Sequence, residues 1–456
     1  MCLLGNGLKS VFLAFAIIIF VTSQEMRIPE GTSKVLANVS LPDEVAVVHR
    51  QAAVVDIGAC TTRVGFSGDD SPRINEPTCV ILGDSQDGRQ CLRRAYEMRA
   101  SGGVVRVIEG SEVNWEAMEE LLTHLSEVLQ LNNKELFTPL LLTEKMFVPR
   151  VQRQRLTEIL MEKLGTQALY FASSPTLALY ASGTCSGVSV EMGYNACHVV
   201  PVFQGCPIFH AAHALNYCGN FFTRYMMESG PALPDVVHPQ HRLDVWQHLK
   251  EKHCEACPSS TVFHRMRVTE AGGNGKLDEE QDAQGDASRG SLGYASPSPV
   301  VHHQLPDGTI ITLGSNRFVP AEMLFDPSLV QGNELSKSQA LIEHFEHLRT
   351  FSSPQGLHQL FVESVRKCDM DLHSMMYNSI HLSGGGSLLR GLLDRLQDEV
   401  ASISGHQVRM RAFTERRNAA FVGGSILASL PTFQDFWVTR AVYEEFGPSA
   451  VMRRCL

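Results

Sequence analysis

The residues VVDIGACTTRVGF (54–66) join an apolar strand ending in Asp56 to a turn of small residues, Gly58, Ala59, Cys60, Thr61 and Thr62, and a second short apolar run, Val64 to Phe66. The pattern predicts a β-hairpin whose tight turn presents backbone N–H groups. Consecutive amides of this kind form a concavity that binds anions such as phosphate. A second strand–turn–strand pattern occurs in GVSVEMGYNACHVVPVFQGCPI (187–208). HLSGGGSLLRGLLDRLQDEV (381–400) reads as a strand, a glycine turn and a helix, and a helix N-terminus favours phosphate. HCEAC (253–257) contains one CxxC, but no second pair lies nearby to complete a zinc site.

These turns need elements to hold them. NWEAMEELLTHLSEVLQL (114–131) is an amphipathic helix capped by Asn114, with Leu121, Leu122, Leu125, Val128 and Leu129 inward. PLLLTE (139–144) is a buried strand, PRVQRQRLTEILMEKL (149–164) a helix with proline near its start, LYFAS (169–173) a strand and PTLALYASG (175–183) a helix ending at glycine. Alternating strand and helix give an α/β class. LPDGTIITLGSNRF (305–318) is a hairpin with an Asp-Gly turn, and residues 337–368 read as helical. Residues 74–112 carry little periodic apolar signal, and 269–300 are rich in Gly, Ser, Asp and Glu. The latter cannot bury enough apolar surface to offset ordering and are expected to be a disordered acidic insertion.

A chain of 456 residues, 44% apolar and 19% charged, is an ordinary folded chain of two or more domains. Its 39 basic and 49 acidic residues give a net charge of −10, and no basic run reverses this. That argues against nucleic acid as a partner. The 12 cysteines form no dense framework and read as reduced thiols of a cytosolic protein. The N-terminus points the other way. SVFLAFAIIIFVTS (10–23) is short for a membrane span but suits a signal-peptide core, and Asn38-Val39-Ser40 fits a glycosylation acceptor. Met26 as the true start, or 10–23 retained as a membrane tether, are the alternatives.

DIGACTTRVGFSGDDSPR (56–73) resembles the first phosphate loop of actin. Further blocks resemble actin in order along the chain: NWEAME (114–119), LLLTE (140–144), LYASG (179–183), LPDGTIITLGSNRF (305–318), KCDMDL (367–372), HLSGGGSLLRG (381–391), GGSILASL (423–430) and GPSAVMRRC (447–455). The resemblance runs collinearly over about residues 50–456 and is to divergent, testis-type members of the actin family. It implies the actin-like ATPase fold, two similar α/β domains around a central nucleotide cleft. The outer domain would be 46–181 plus 419–456, with 74–113 a divergent small subdomain. The inner domain would be 182–418, carrying the 269–300 insertion, and residues 1–45 would be an N-terminal extension.

The resemblance also assigns roles, with ATP or ADP and Mg²⁺ as cofactors. Asp56 stands where an aspartate holds the cation's water shell, and Gly58, Ala59, Cys60 and Arg63 stand along the first phosphate loop. The second loop usually reads Asp-x-Gly-Asp-Gly; here it is Glu191-Met192-Gly193-Tyr194-Asn195, with one acid kept in longer form. Mg²⁺ wants compact oxygen ligands, so this loop weakens the case for it. The water-orienting glutamine is replaced at Ser174, too short for that task, while His198 keeps the place of a second water-polarising group. Lys250 and Glu251 match the pair beside adenine, although the preceding arginine reads Gln247; Gly384, Gly385, Gly386, Leu388 and Arg417 complete the nucleotide set.

Actins polymerise by inserting a loop of the small subdomain into an apolar groove of a neighbour. The loop region, 74–113, is short and lacks an apolar tip, whereas Tyr180, Leu427, Leu430, Thr432, Phe433 and Phe436 match the groove lining. The expectation is a cytoplasmic, cytoskeletal interaction protein. Its degenerate cleft would have weak or no ATPase activity, and its groove would accept actin or an actin-binding protein. A slow Mg-ATPase and an actin-related subunit of a nuclear chromatin complex are the alternatives.

Overall fold

The computed structural model describes residues 51–82, 90–97, 103–110, 112–133, 136–235, 237–271, 300–331 and 355–455. The N-terminal extension with its apolar run and Asn38, most of 269–300, parts of 74–113 and the helical reading over 337–354 lie outside these residues. Among the described residues, no helix is long and apolar enough to cross a membrane.

The chain packs as two compact units. Of the described residues, the first holds those up to Ala214 and those within Ser364–Gly385 and Arg409–Leu456; the second holds those within Leu215–Glu363 and Gly386–Val408. This partition follows packing, and both hairpins head sheets of the first unit.

In the first sheet β1 (Ala53–Ile57) folds back as β2 (Thr61–Phe66), which pairs with β3 (Ile74–Pro77). β4 (Leu140–Glu144) runs parallel to β1, and β5 (Ala168–Ser173) runs parallel to β4. In the second sheet β6 (Gly187–Met192) folds back as β7 (Cys197–Phe203), and β8 (Cys206–Pro207) pairs with β7. β9 (Ile380–Ser383) lies parallel to β6, and β10 (Met410–Arg411) parallel to β9. A last short strand, β11 (Val438–Thr439), closes the first sheet beside β5. The orders are β11-β5-β4-β1-β2-β3 and β8-β7-β6-β9-β10.

The central parallel strands read as apolar runs because both their faces are covered. Val54, Val55, Leu141, Leu142, Leu169 and Phe171 belong to one core. Helix α1 (Trp115–Leu129) adds Leu121, Leu122, Leu125 and Leu129 to it; Asn114 Oδ1 accepts from Ala117 N–H at 3.1 Å and caps the helix. Val128, expected inward, is exposed, because helical periodicity places it at the edge of the face that Leu121, Leu122, Leu125 and Leu129 bury. The second predicted helix is α2 (Arg150–Glu158), continued by a π-turn over Ile159–Lys163. The region around 74–113 is more regular than its sequence suggests. Cys79–Ile81 pairs with Gln90–Cys91 and Val104–Arg106, and Ile108–Glu109 pairs with Glu112–Val113. Each strand is too short to carry a periodic signal.

The second unit is built on helices Gly219–Ser229, Pro239–His253 and Ser260–Ala271 and the hairpin Val301–Gln304/Ile310–Leu313, with Phe221, Trp246, Phe263 and Phe318 buried. The expected Asp-Gly turn is there, with Gly308 at φ +89°. Buried Arg395 ties this unit together through the Cys257 carbonyl (2.9 Å), Ser260 Oγ (2.8 Å) and Glu322 (3.3 Å).

Helices α3 (Ser174–Ala181) and α4 (Ala419–Ala428) cross closely in the first unit. A Cβ at Gly423 would fall on the Leu177 carbonyl, so only glycine allows the contact. Gly423→Ala is expected to lower unfolding free energy by about 1–3 kcal/mol, the cost of overpacking. Chemical denaturation of both proteins checks this, and equal midpoints would contradict it.

Candidate functional site

The two hairpins place acids in equivalent positions. Asp56 sits near the end of β1 directly across from Arg63, and Glu191 near the end of β6 directly across from His198. The first turn is closed by Gly58 N–H donating to the Thr61 carbonyl (3.0 Å), the second by Gly193 N–H donating to the Ala196 carbonyl (2.9 Å). A Cβ at Gly58 would stand 2.8 Å from the Thr61 carbonyl, which explains that glycine. Asp56, Glu144, Ser173, Glu191 and Ser383 all lie toward the carboxyl ends of parallel strands, where open α/β sheets place their ligands.

Asp56 is buried and fully engaged. Arg63 Nη1 donates to its Oδ2 at 2.8 Å and Thr143 Oγ1 to its Oδ1 at 2.6 Å. Arg63 is itself held by Asn418 Oδ1, at 2.9 Å from Nε. Burial opposes the charged form of Asp56, but Lys145, Arg63 and these hydrogen bonds outweigh it and hold the carboxyl below the ordinary range.

Glu191 is met by a residue that the sequence reading passed over. Lys145, directly after β4, makes an ion pair with Glu191 Oε1. Ser174 Oγ donates to the other carboxylate oxygen at 2.6 Å. Burial opposes ionisation of Glu191, and Lys145, His198 and these hydrogen bonds overcome it, so its pKa is lowered. Lys145 is raised: burial works against the ammonium, but Glu191 and Asp56 prevail. His198 is lowered by burial, which Glu191 only partly offsets, so the ring is neutral near pH 7; Phe147 lies tilted beside it, 6.1 Å between centroids. The loop carrying Lys145 is pinned by Met146, buried with Leu179, Val200 and Val202, and turned by Phe147 at φ +64°. A lysine between an apolar strand and an apolar anchor is the signal that could have marked it.

The altered second loop is used structurally. The Tyr194 ring lies under the Arg106 guanidinium, 5.3 Å away, and Asn195 Nδ2 donates to the Gly110 carbonyl at 2.7 Å. Both replacements therefore clasp the turn to the 104–110 segment. Gly384, at φ +83°, must be glycine because a Cβ would strike the Met192 carbonyl. The glycine run does not open the α-helix directly, contrary to expectation. It forms a 3-10 turn, Gly385–Leu388, and the helix starts at Leu392 after Gly391 resets the backbone at φ +72°. Arg417 is exposed. In the second unit Lys250 is buried and donates to the Gly219 carbonyl and Thr223 Oγ1, both at 2.9 Å, while Glu251 accepts from Gln247 Nε2 at 3.0 Å.

The residues present do not fit the divalent ion that the resemblance implies. Asp56 is paired with Arg63 and Glu191 with Lys145, so two charges of each sign already balance. A divalent ion among these groups would be attracted by the two carboxylates and repelled by the two cations, so the site offers it no net charge. Cys254 and Cys257 are also buried, with thiols pushed up to about 12 by burial. Among the described residues, no cluster of three or more His, Cys, Asp or Glu could hold a metal.

The groove residues divide. Leu430 and Phe433 are buried in the first-unit core, where Phe433 meets Tyr170 edge-on at 4.8 Å and Trp437 at 5.1 Å. Tyr180, Leu427 and Phe436 are half-buried and Thr432 is exposed, in α3, α4 and the 3-10 turn Pro431–Phe436.

The lowered pKa values carry a sign. A carboxylate depressed in the folded state adds stability above its unfolded pKa, about 4, and loses it as pH falls through the folded value. Lys145→Met should reverse this for Glu191. The variant's deficit in unfolding free energy should grow from acid to neutral pH and reach about 2 kcal/mol, discounted from a fully buried pair because the ammonium is partly exposed. Urea titrations across that range test this; a deficit independent of pH would refute the pairing.

A sequence profile of the family described as Actin matches residues 47–456. An actin-like protein of Neurospora crassa is 29% identical over 405 residues, covering 86% of this chain and 95% of that protein. With the mixed α/β architecture and the paired hairpin turns, this match over most of the chain shows that the protein belongs to the actin family.

Proposed function

We propose that this chain is an actin-like interaction protein of a specialised, testis-type cytoskeleton, working in the cytoplasm and not turning over ATP. The observation that carries this reading is the closed contact of Ser174 with Glu191 (2.6 Å) beside the Glu191–Lys145 pair. The position that should orient a water instead locks a carboxylate. Without an orienting group the attack on the terminal phosphate loses its main positional help. His198, neutral but buried beside Phe147, is left as the one group of the expected catalytic set able to polarise a water.

The interaction surface is the groove edge formed by Tyr180, Leu427, Thr432 and Phe436, which are accessible while Leu430 and Phe433 support them from the core. An apolar groove of this kind receives an amphipathic helix or a loop of actin. The outer and inner domains expected from the two hairpins would be the lobes of this actin-like body, with no nucleic-acid surface.

Two measurements test the reading. Purified full-length protein with Mg·ATP should release no phosphate above the uncatalysed background; sustained turnover would refute it. Thr432→Arg, at an exposed position outside the core, should abolish capture of actin or actin-binding proteins with an unchanged melting temperature. Retained capture would show that the groove is not the surface.

A further inference from the structure

We propose that Lys145 is the resident cation of the phosphate site: its ammonium takes the place of the divalent ion, and the two hairpin turns receive a nucleoside polyphosphate free of metal. The inference rests on reading this site as a phosphate site and goes beyond the interaction role.

Position is the first ground. Lys145 follows β4, the strand between β1 and β5, and its loop is pinned by buried Met146 and the left-handed Phe147. The ammonium reaches Glu191 and lies within electrostatic range of Asp56, so one cation serves the acids of both hairpins. A divalent ion bridging these two strand ends would do the same.

Accessibility is the second. The Lys145 side chain is 38% exposed, whereas Glu191 is 7% and Asp56 4% exposed. A ligand arriving here meets the ammonium and not the carboxylates. A metal ion needs those carboxylates, already paired with Lys145 and Arg63. An ammonium has three donors, and among the described residues Glu191 is its one hydrogen-bond partner. A phosphate oxygen can use the others.

The surroundings are the third. The hydroxyls of Ser173 and Ser383, at the carboxyl ends of β5 and β9, are buried and find no partner among the described residues. Ser383 stands directly across from Glu191, and Ser173 stands across from Glu144 and immediately precedes Ser174, which bonds Glu191. Such hydroxyls fit a polar ligand better than a closed apolar end.

The test is calorimetric titration of the full chain with ATP, once in excess EDTA and once in excess Mg²⁺. Metal-free ATP should bind no more than about threefold more weakly than Mg·ATP. Lys145→Met should weaken metal-free binding by about tenfold or more, the loss of a charge-assisted hydrogen bond, and Lys145→Arg should restore it. A larger advantage for Mg²⁺ in the native protein overturns the proposal, as does undiminished binding by Lys145→Met. Should Lys145→Met fail to fold, the native comparison and Lys145→Arg still decide. No binding in either medium also overturns it and leaves the non-hydrolysing reading intact; Mg-dependent binding with phosphate release would take both down.

Discussion

Burying a carboxylate as an anion costs several kcal/mol unless a cation and hydrogen bonds meet it. This chain buries two, Asp56 and Glu191, at the ends of two hairpins, and answers each locally. Arg63 reaches Asp56 straight across the first hairpin. Lys145 reaches Glu191 from the other sheet, so the ion pair also joins the two sheets. The rest of the site follows from this compensation. Thr143, Asn418 and Ser174 add hydrogen bonds to Asp56, Arg63 and Glu191, and Met146 holds the loop that delivers the ammonium.

The same constraint gives the second turn its residues. An anion-binding turn with its own acids would need small residues and an external cation. With Lys145 paired to Glu191 the acid needs no external cation, and two positions of the turn serve attachment: Tyr194 under Arg106, Asn195 on the Gly110 carbonyl. Backbone contact demands glycine at Gly58 and Gly384, whereas a Cβ at Gly385 would meet open space. The shape of the two turns is therefore held by packing, and their acids are balanced by Arg63 and Lys145.

Some residues that family resemblance links to the nucleotide or to the partner groove have structural duties. Lys250 bonds a carbonyl and a hydroxyl of the helix Gly219–Ser229 from the helix Pro239–His253. Leu430 and Phe433 hold the core together with Tyr170 and Trp437, which leaves recognition to the half-buried residues around them. A shared residue type marks a shared position in the fold, and the partners of that residue decide what it does there.

The sequence by itself determined the fold class, the two hairpin turns, the central apolar strands and the family, because these rest on local patterns and on blocks spread over about residues 50–456. Asp56 and Arg63 could be read together since seven residues of a tight hairpin bring them face to face. Lys145 and Glu191 are 46 positions apart, and Arg63 and Asn418 are 355 apart. No periodicity or spacing announces such pairs; they exist only after distant segments of the chain pack together. The short strands of the 74–113 region were hidden for a different reason, since two to four residues hold no clear period. The helix start at Leu392 was set by Gly391, where a Cβ would crowd the Ala256 carbonyl, a contact made by distant chain. Tertiary structure decided which charges meet, and through them whether a metal has a place, because electrostatic compensation in a buried site depends on distance in space and not along the chain.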